Sequence, residues 1–100
     1  MSKYLVTWES DTSKLPSNRQ ERGALFIKML EATKQTLEES QINDWGQFIG
    51  GGKGYGIFDG DAVEVFKNLQ QYAPYVTFNV QEVLSVDEVI EAVKAMMEQS

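Results

Sequence analysis

The sequence predicts an α+β domain built on one four-stranded antiparallel sheet. Short segments rich in β-branched and aromatic residues alternate with longer segments whose apolar residues recur at helical spacing. Three of the longer segments begin with a Ser or Asp followed three residues later by Gln or Glu, which is typical of a helix N-terminus. The 100 residues supply enough chain for one core, so we expect residues 1–100 to form a single domain.

The first half of the chain is predicted to contain two strands with a helix between them. Residues 3–9 are rich in β-branched and aromatic side chains, which favours a strand. Ser17 opens a capping-box pattern, and the apolar spacing after it predicts a helix of five or six turns that ends near Ser40. Residues 42–49 are predicted to form a short second strand with a bulge at Gly46.

A glycine-rich turn and a second helix are predicted next. Residues 50–54 read as a hairpin turn that leads into a third strand over residues 55–58. Asp61 is positioned to cap the second helix, which is expected to stop before Pro74 because the residue before a proline is pushed out of the α region.

The last two elements complete a recognisable order. Residues 76–81 alternate apolar and polar side chains, which predicts a half-buried strand. Ser85 opens a third capping box, and the helix after it carries one apolar stripe, made of Val86, Val89, Ile90, Val93 and Met97. The resulting order, β-α-β-β-α-β-α, is ferredoxin-like with an additional C-terminal helix, and its helices would cover one face of the sheet.

Composition excludes several kinds of chemistry. The chain has no His and no Cys, so zinc centres of the Cys-His type, iron–sulfur clusters and the usual haem ligation are excluded. A thiol nucleophile and a Ser-His-Asp triad are excluded for the same reason. We therefore expect no metal and no cofactor, and composition leaves the catalytic residues of any reaction unknown.

Charge and hydropathy limit the kinds of partner that we expect. Nine basic and fifteen acidic residues give a net charge of −6, and the basic residues are scattered, so no nucleic-acid partner is expected. The N-terminus lacks the pattern of a signal peptide, and no apolar run approaches the ~20 residues that cross a bilayer. These features predict a cytoplasmic protein with no membrane partner.

Two local motifs have functional and structural interpretations. The run of glycines with Lys53 invites comparison with a phosphate-binding loop, but such a loop ends in Lys-Ser or Lys-Thr and opens a helix, so a flexible hairpin is favoured. Asp59 and Asp61 could pair as acid and base or hold a cation. Their positions at the end of a strand and at a helix cap favour a structural role.

Polar side chains at alternate strand positions form the candidate site. By strand alternation they would share the helix-free side of the sheet, together with one indole. Such a face is usually covered by a partner subunit or lines a pocket, and a plain solvated face is the alternative. The candidate ligand-binding residues are Thr7, Glu9, Asn43, Trp45, Tyr55, Asn79 and Gln81.

Three segments, residues 4–8, 54–61 and 76–84, resemble a family of small uncharacterised bacterial and archaeal proteins. Members open with a V-T-W strand and carry a glycine-rich third strand that ends in an acidic pair. The resemblance implies no activity and no catalytic residue. The predicted fold is also similar to the dimeric α+β barrel superfamily, which includes cofactor-independent monooxygenases, isomerases and ligand-binding modules. The chain departs from the haem- and histidine-using members because it has no His.

Two functions stay open. The first, which we favour, is a homodimeric module that binds a small organic molecule or has a structural or regulatory role. The second is a cofactor-independent monooxygenase or isomerase that acts in a pocket between sheet faces, with Glu9 as a base whose pKa burial would have to raise. A closed cavity around Glu9 would favour the enzyme, and a shallow, wet sheet face would favour the binding module.

The homodimer is expected to form through the sheet. The apolar stripes of the three helices can cover only one face of the sheet, and Phe78 points to that face. Because side chains alternate along a strand, Thr77 and Asn79 must point to the other face. Either set of β1 residues, the one with Tyr4 or the one with Leu5, leaves large apolar groups on the uncovered face. Burying that face against its two-fold copy would form an interface of the usual size.

Overall fold

The computed structural model describes residues 2–39 and 41–99. The mixed α+β architecture with a four-stranded antiparallel sheet and three helices is confirmed. In chain order the elements are β1 (Ser2–Ser10), a 3-10 turn (Thr12–Lys14), α1 (Arg19–Glu38), β2 (Ile42–Gln47), β3 (Lys53–Gly60), α2 (Ala62–Gln70), β4 (Val76–Val83) and α3 (Val86–Glu98).

The strands lie in the order β2-β3-β1-β4, so β1 and β3 are central and β2 and β4 form the edges. β1 and β3 pair along their length, from Ser2 opposite Gly60 to Glu9 opposite Lys53. β4 pairs with the other side of β1, and Val80 lies opposite Val6. Each edge strand therefore has one described neighbour.

One face of the sheet, here called the helix side, carries the core. The helix side holds Tyr4, Val6 and Trp8, whereas Leu5 points to the opposite face, here called the open side, which settles an alternative that the sequence left open. Val6 is only 1% exposed. The core cluster comprises Tyr4, Val6, Ile42, Phe58, Val65 and Leu69, so α2 packs directly on the central strands.

The bulge in β2 does not lie at Gly46, as predicted, but between Ile42 and Asp44. Gly46 pairs regularly with Tyr55, and the glycine is required there because a Cβ would lie 2.6 Å from the ring of Tyr55. The extra residue in β2 shifts the alternation by one position. Trp45 consequently shares the helix side with Ile42.

The N-terminus of α1 is capped by Asn18 and not by Ser17. The Asn18 side-chain oxygen accepts hydrogen bonds from the backbone N–H groups of Gln20, at 2.9 Å, and Glu21, at 3.0 Å. The helix ends at Glu38, and the predicted end near Ser40 lies outside the described residues.

The caps predicted for the other two helices are confirmed. Asp61 accepts from the backbone N–H of Val63 at 3.0 Å and begins α2. At α3 the Ser85 hydroxyl accepts from the Glu88 N–H at 3.1 Å, and the Ser85 N–H donates to the Glu88 carboxylate at 2.8 Å. The bond donated by the Ser85 N–H, together with a smaller effect of the Ser85 hydroxyl, lowers the pKa of the Glu88 carboxyl group.

α3 does not cover the sheet as expected but stands away from it. It makes at most slight contact with the other described helices and strands. The chain measures 62 × 25 × 23 Å, and its radius of gyration of 17.0 Å exceeds the value of about 13 Å for a compact chain of this length. None of the described helices combines the length and the apolar character needed to span a membrane.

Candidate functional site

A cavity of about 430 Å³ lies between the helix side of the sheet and α1 and α2. This volume falls within the range of small-molecule sites. Both tryptophans of the chain line the cavity, and the other aromatic side chains in its wall are Phe26, Phe58, Tyr72 and Phe78. The cavity therefore draws its wall from β1, β2, β3, β4, α1 and the segment after α2.

Trp8 and Trp45 stack in this wall with their ring centroids 5.5 Å apart and their planes 7° from parallel. They come from β1 and β2, on either side of β3. The β3 residue opposite each is a glycine, Gly54 for Trp8 and Gly56 for Trp45. A Cβ on Gly54 would collide with the Trp8 ring, so the glycines leave room for the two indoles to lie across the sheet.

Few polar groups reach the cavity. The hydroxyls of Thr33 and Tyr72 are hydrogen-bonded at 2.9 Å. Arg22 is the charged side chain among the described residues that line the cavity, and its Nε–H donates to the carbonyl oxygen of Pro16 at 3.0 Å. The Nε1–H of Trp8 is buried and has no hydrogen-bond partner in the described part of the chain. The Trp8 Nε1–H is therefore closed off from the cavity, and Arg22 is the charged donor that this largely apolar space offers.

Tyr72 is the cavity residue whose titration the fold alters. Its side chain is buried, and its ring packs edge-on against Phe78 with the centroids 6.0 Å apart. Burial raises the pKa of the Tyr72 phenol, and the hydrogen bond with Thr33 offsets only part of that rise.

Stability should therefore fall in alkali. The Tyr72 phenol ionises near pH 10 in the unfolded chain and at a higher pH in the folded one, so the free energy of unfolding decreases as pH rises above 10. We expect Tyr72→Phe to reduce this decrease in urea unfolding measured between pH 8 and pH 11. Tyr75→Phe, which removes a phenol outside the cavity wall, is the control. Equal pH dependence of Tyr72→Phe and the parent protein would contradict the prediction.

Three of the candidate residues, Thr7, Glu9 and Asn79, come together on the open side. They line a shallower depression of about 270 Å³ near the end of β1. Thr7 lies opposite Asn79 across the β1–β4 pair. Glu9 forms an ion pair with Lys53 at 3.2 Å, and their side chains are 56% and 63% exposed. This depression is open, and its two charged side chains are exposed to solvent.

Three further candidates, Asn43, Tyr55 and Gln81, lie on the open side but line neither space. The Asn43 amide donates a hydrogen bond to the carboxylate of Asp59. The Tyr55 hydroxyl donates to the Asp44 carboxylate at 2.7 Å, and this bond raises the pKa of the Tyr55 phenol. Asn43 and Tyr55 are thus engaged with neighbouring carboxylates.

The predicted position of Trp45 is wrong. The period-two alternation placed it on the open side with Asn43, but the bulge between Ile42 and Asp44 turns it to the helix side. Trp45 is therefore separated by the sheet from the polar residues with which it was grouped. It belongs to the wall of the larger cavity.

The arrangement expected of an enzyme that uses Glu9 as a base is not found. The Glu9 side chain is more than half exposed and paired with a lysine, so no closed cavity surrounds it. In residues 2–39 and 41–99, no three or more acidic side chains converge to form a metal site.

Most of the cavity wall, including Trp8, Arg22 and Tyr72, was not predicted from the sequence. A signal for the floor of the cavity was present in β3, where Gly54 and Gly56 leave the stretch before Phe58 without side chains on the helix side. Residues 22, 26, 29, 30 and 33, at helical spacing along α1, were a second signal.

Comparison with known proteins adds no identification. The sequence matches no model of a known protein family, and it matches no curated protein. The resemblance to the family with a V-T-W first strand stays a prediction.

Proposed function

We propose that this protein is a small-molecule-binding module whose ligand occupies the cavity between α1, α2 and the helix side of the sheet. The observation that carries the proposal is the stacked pair of Trp8 and Trp45 in the wall of a 430 Å³ space. A mostly apolar cavity of this size, with a small number of polar groups that fix orientation, is typical of ligand sites.

The lining indicates the chemistry of the ligand. The indoles and Phe78 offer flat apolar surfaces, which favour a planar or aromatic molecule. Arg22 offers a positive charge at the cavity wall. A flat organic molecule with one anionic or strongly accepting group matches this set.

We further propose a ferredoxin-like arrangement that functions as a homodimer. The crossover from β1 to β2 passes β3, and the crossover from β3 to β4 passes β1, so each is split by one strand. This connectivity supports the ferredoxin-like assignment. The apolar surface that α3 exposes supports self-association.

A cofactor-independent monooxygenase or isomerase is the alternative function. Its proposed base, Glu9, shares the open-side depression with Asn79, one of the residues that could position a substrate, whereas Trp45 lies on the helix side. The Glu9 carboxylate is more than half exposed and paired with Lys53, so the binding module has the stronger support.

The test uses the dye 8-anilinonaphthalene-1-sulfonate, which is planar, apolar and anionic. Leu30 lines the cavity and is 43% exposed, so it lies at the opening of the cavity. Leu30→Trp should block this opening and raise the Kd of the dye at least about tenfold. Ile27 lies almost one turn earlier on α1, is also exposed, and does not line the cavity. Ile27→Trp is the matched control and should change the Kd by less than about twofold.

Dye fluorescence measures binding, and the difference between Leu30→Trp and Ile27→Trp locates it, because only Leu30 lines the cavity. If the parent protein does not bind the dye, or if both variants change the Kd equally, the cavity is not the site and the proposal is wrong.

A further inference from the structure

Four residues of the apolar stripe on α3, Val86, Val89, Ile90 and Val93, are left exposed by the other described elements. Val86 is 73% exposed, Ile90 46% and Val93 47%, although the stripe has the spacing of a buried helix face. The helix has its complete capping box, so its N-terminus is formed without support from the rest of the chain. A well-formed amphipathic helix without a covering surface indicates a docking element.

A second exposed apolar surface lies on the body of the protein, between α2 and β4. Asn68 on α2 contacts Thr36 of α1 and Gln41 beside β2, so this flank of α2 faces the β2 edge. Phe66 precedes Asn68 by two residues, about 200° around the helix, and therefore projects on the flank toward the β4 edge. Phe66 is 62% exposed, and Val80, on the helix side of β4, is 43% exposed.

We propose that α3 of one copy packs across this surface of a second copy, and that the exchange is reciprocal. The surface, here called the α2–β4 patch, is defined by Phe66, Val80 and Leu84, which directly follows β4 and is 61% exposed. The inference rests on the homodimer part of the proposed function and is independent of the ligand. It places the interface on α3 and the α2–β4 edge, and not on the open side of the sheet.

The area that such an exchange buries suits a specific dimer. These four side chains on each α3 expose on the order of 400 Å² of apolar surface, at roughly 100 Å² for each. Each helix covers a similar area of the body, so two reciprocal contacts bury on the order of 1,600 Å², which is the standard size of protein interfaces. A single contact of this kind would bury only half as much.

Charge disfavours the simpler pairing of α3 with α3 of the second copy. The helix carries four acidic residues and one lysine, so two aligned copies would bring like charges together. The α2–β4 patch instead combines apolar side chains with one charge of each sign, Lys67 next to Phe66 and Glu82 between Val80 and Leu84. Reciprocal docking on the patch therefore buries the stripe without pairing the two acidic helices.

The experiment is sedimentation velocity on the full chain between 1 and 200 μM. The parent protein should be a dimer, and Val93→Lys should raise the dimer Kd at least about a hundredfold, because the charge enters both contacts. Glu91→Gln is the control, since it makes the same change in charge on the opposite face of α3. Circular dichroism should show that both variants stay folded, because α3 contributes little to the core.

Complementation distinguishes exchange from other dimers. Phe66→Glu should dissociate the dimer as Val93→Lys does. An equimolar mixture of the two variants should re-form dimers, because each mixed pair contains one parental contact and one Lys–Glu contact. This recovery is expected only when the helix of one chain meets the patch of the other.

Several outcomes would overturn the inference. A parent protein that is monomeric at 200 μM would refute both the exchange and the proposed homodimer. A dimer that survives Val93→Lys but dissociates with Thr77→Lys would refute the exchange and leave the homodimer, with its interface on the open side. Failure of the mixture to recover would also refute the exchange. Dye binding, measured on the same samples, tests the ligand site separately.

Discussion

Gly54→Ala is expected to destabilise the protein by about 3 kcal/mol, because its Cβ has no room on either side. The added carbon would collide with the carbonyl oxygen of Gly46 on β2 and with the six-membered ring of Trp8. The first obstacle is backbone, and the second is an indole held in a stack with Trp45, so relief requires β2 and β3 to separate. Urea unfolding measures the loss.

Gly50→Ala is the matched control in the same hairpin, since a Cβ there meets no atom within 4 Å. We expect it to change the free energy of unfolding by less than about 0.5 kcal/mol. If Gly54→Ala were as stable as Gly50→Ala, the close approach of β2, β3 and the Trp8 ring would be wrong. The floor of the proposed ligand cavity would then be wrong as well.

The secondary structure was predictable wherever its determinants are local. The caps at Asp61 and Ser85 involve partners two or three residues away, so the sequence pattern contains the whole interaction. At α1 the same reasoning chose Ser17 over Asn18, because two capping residues stand side by side and both fit the pattern. The choice depends on which side chain reaches two backbone N–H groups, and only the three-dimensional structure shows that.

The candidate site was less predictable because it depends on register. A single extra residue at the β2 bulge reverses the side to which every later residue of the strand points. Gly46 attracted the predicted bulge, yet its lack of a side chain serves the ring of Tyr55 on the next strand. The sequence of β2 alone does not contain this cross-strand contact, so Trp45 was assigned to the wrong face.

The cavity itself depends on contacts between residues far apart in the chain. Thr33 meets Tyr72, and Trp8 meets Trp45, although 39 residues separate the first pair. Helical periodicity in α1 identified an apolar face but not the strand residues opposite it. The same limit applies to α3, whose stripe was predicted to join the helices over the sheet and instead stands apart from them.

Arg22 should control the preference of the cavity for anionic ligands. Its Nε–H is committed to the Pro16 carbonyl at 3.0 Å, which anchors the guanidinium while the Nη groups keep their donors. A hydrogen bond to a charged group contributes about 1.5–3 kcal/mol, so Arg22→Gln should raise the Kd of 8-anilinonaphthalene-1-sulfonate about tenfold or more.

The uncharged analogue N-phenyl-1-naphthylamine separates charge recognition from damage to the cavity, because it keeps the rings and lacks the sulfonate. Arg22→Gln should change the Kd of this uncharged analogue by less than about twofold relative to the parent protein, since the apolar wall around Trp8 and Phe78 is unchanged. Arg19→Gln, which removes a positive charge from α1 outside the cavity wall, is the control for general electrostatic attraction and should affect neither dye by more than about twofold. Equal weakening of both dyes by Arg22→Gln would show that Arg22 supports the cavity wall rather than a ligand charge, and the proposed ligand would then need no anionic group.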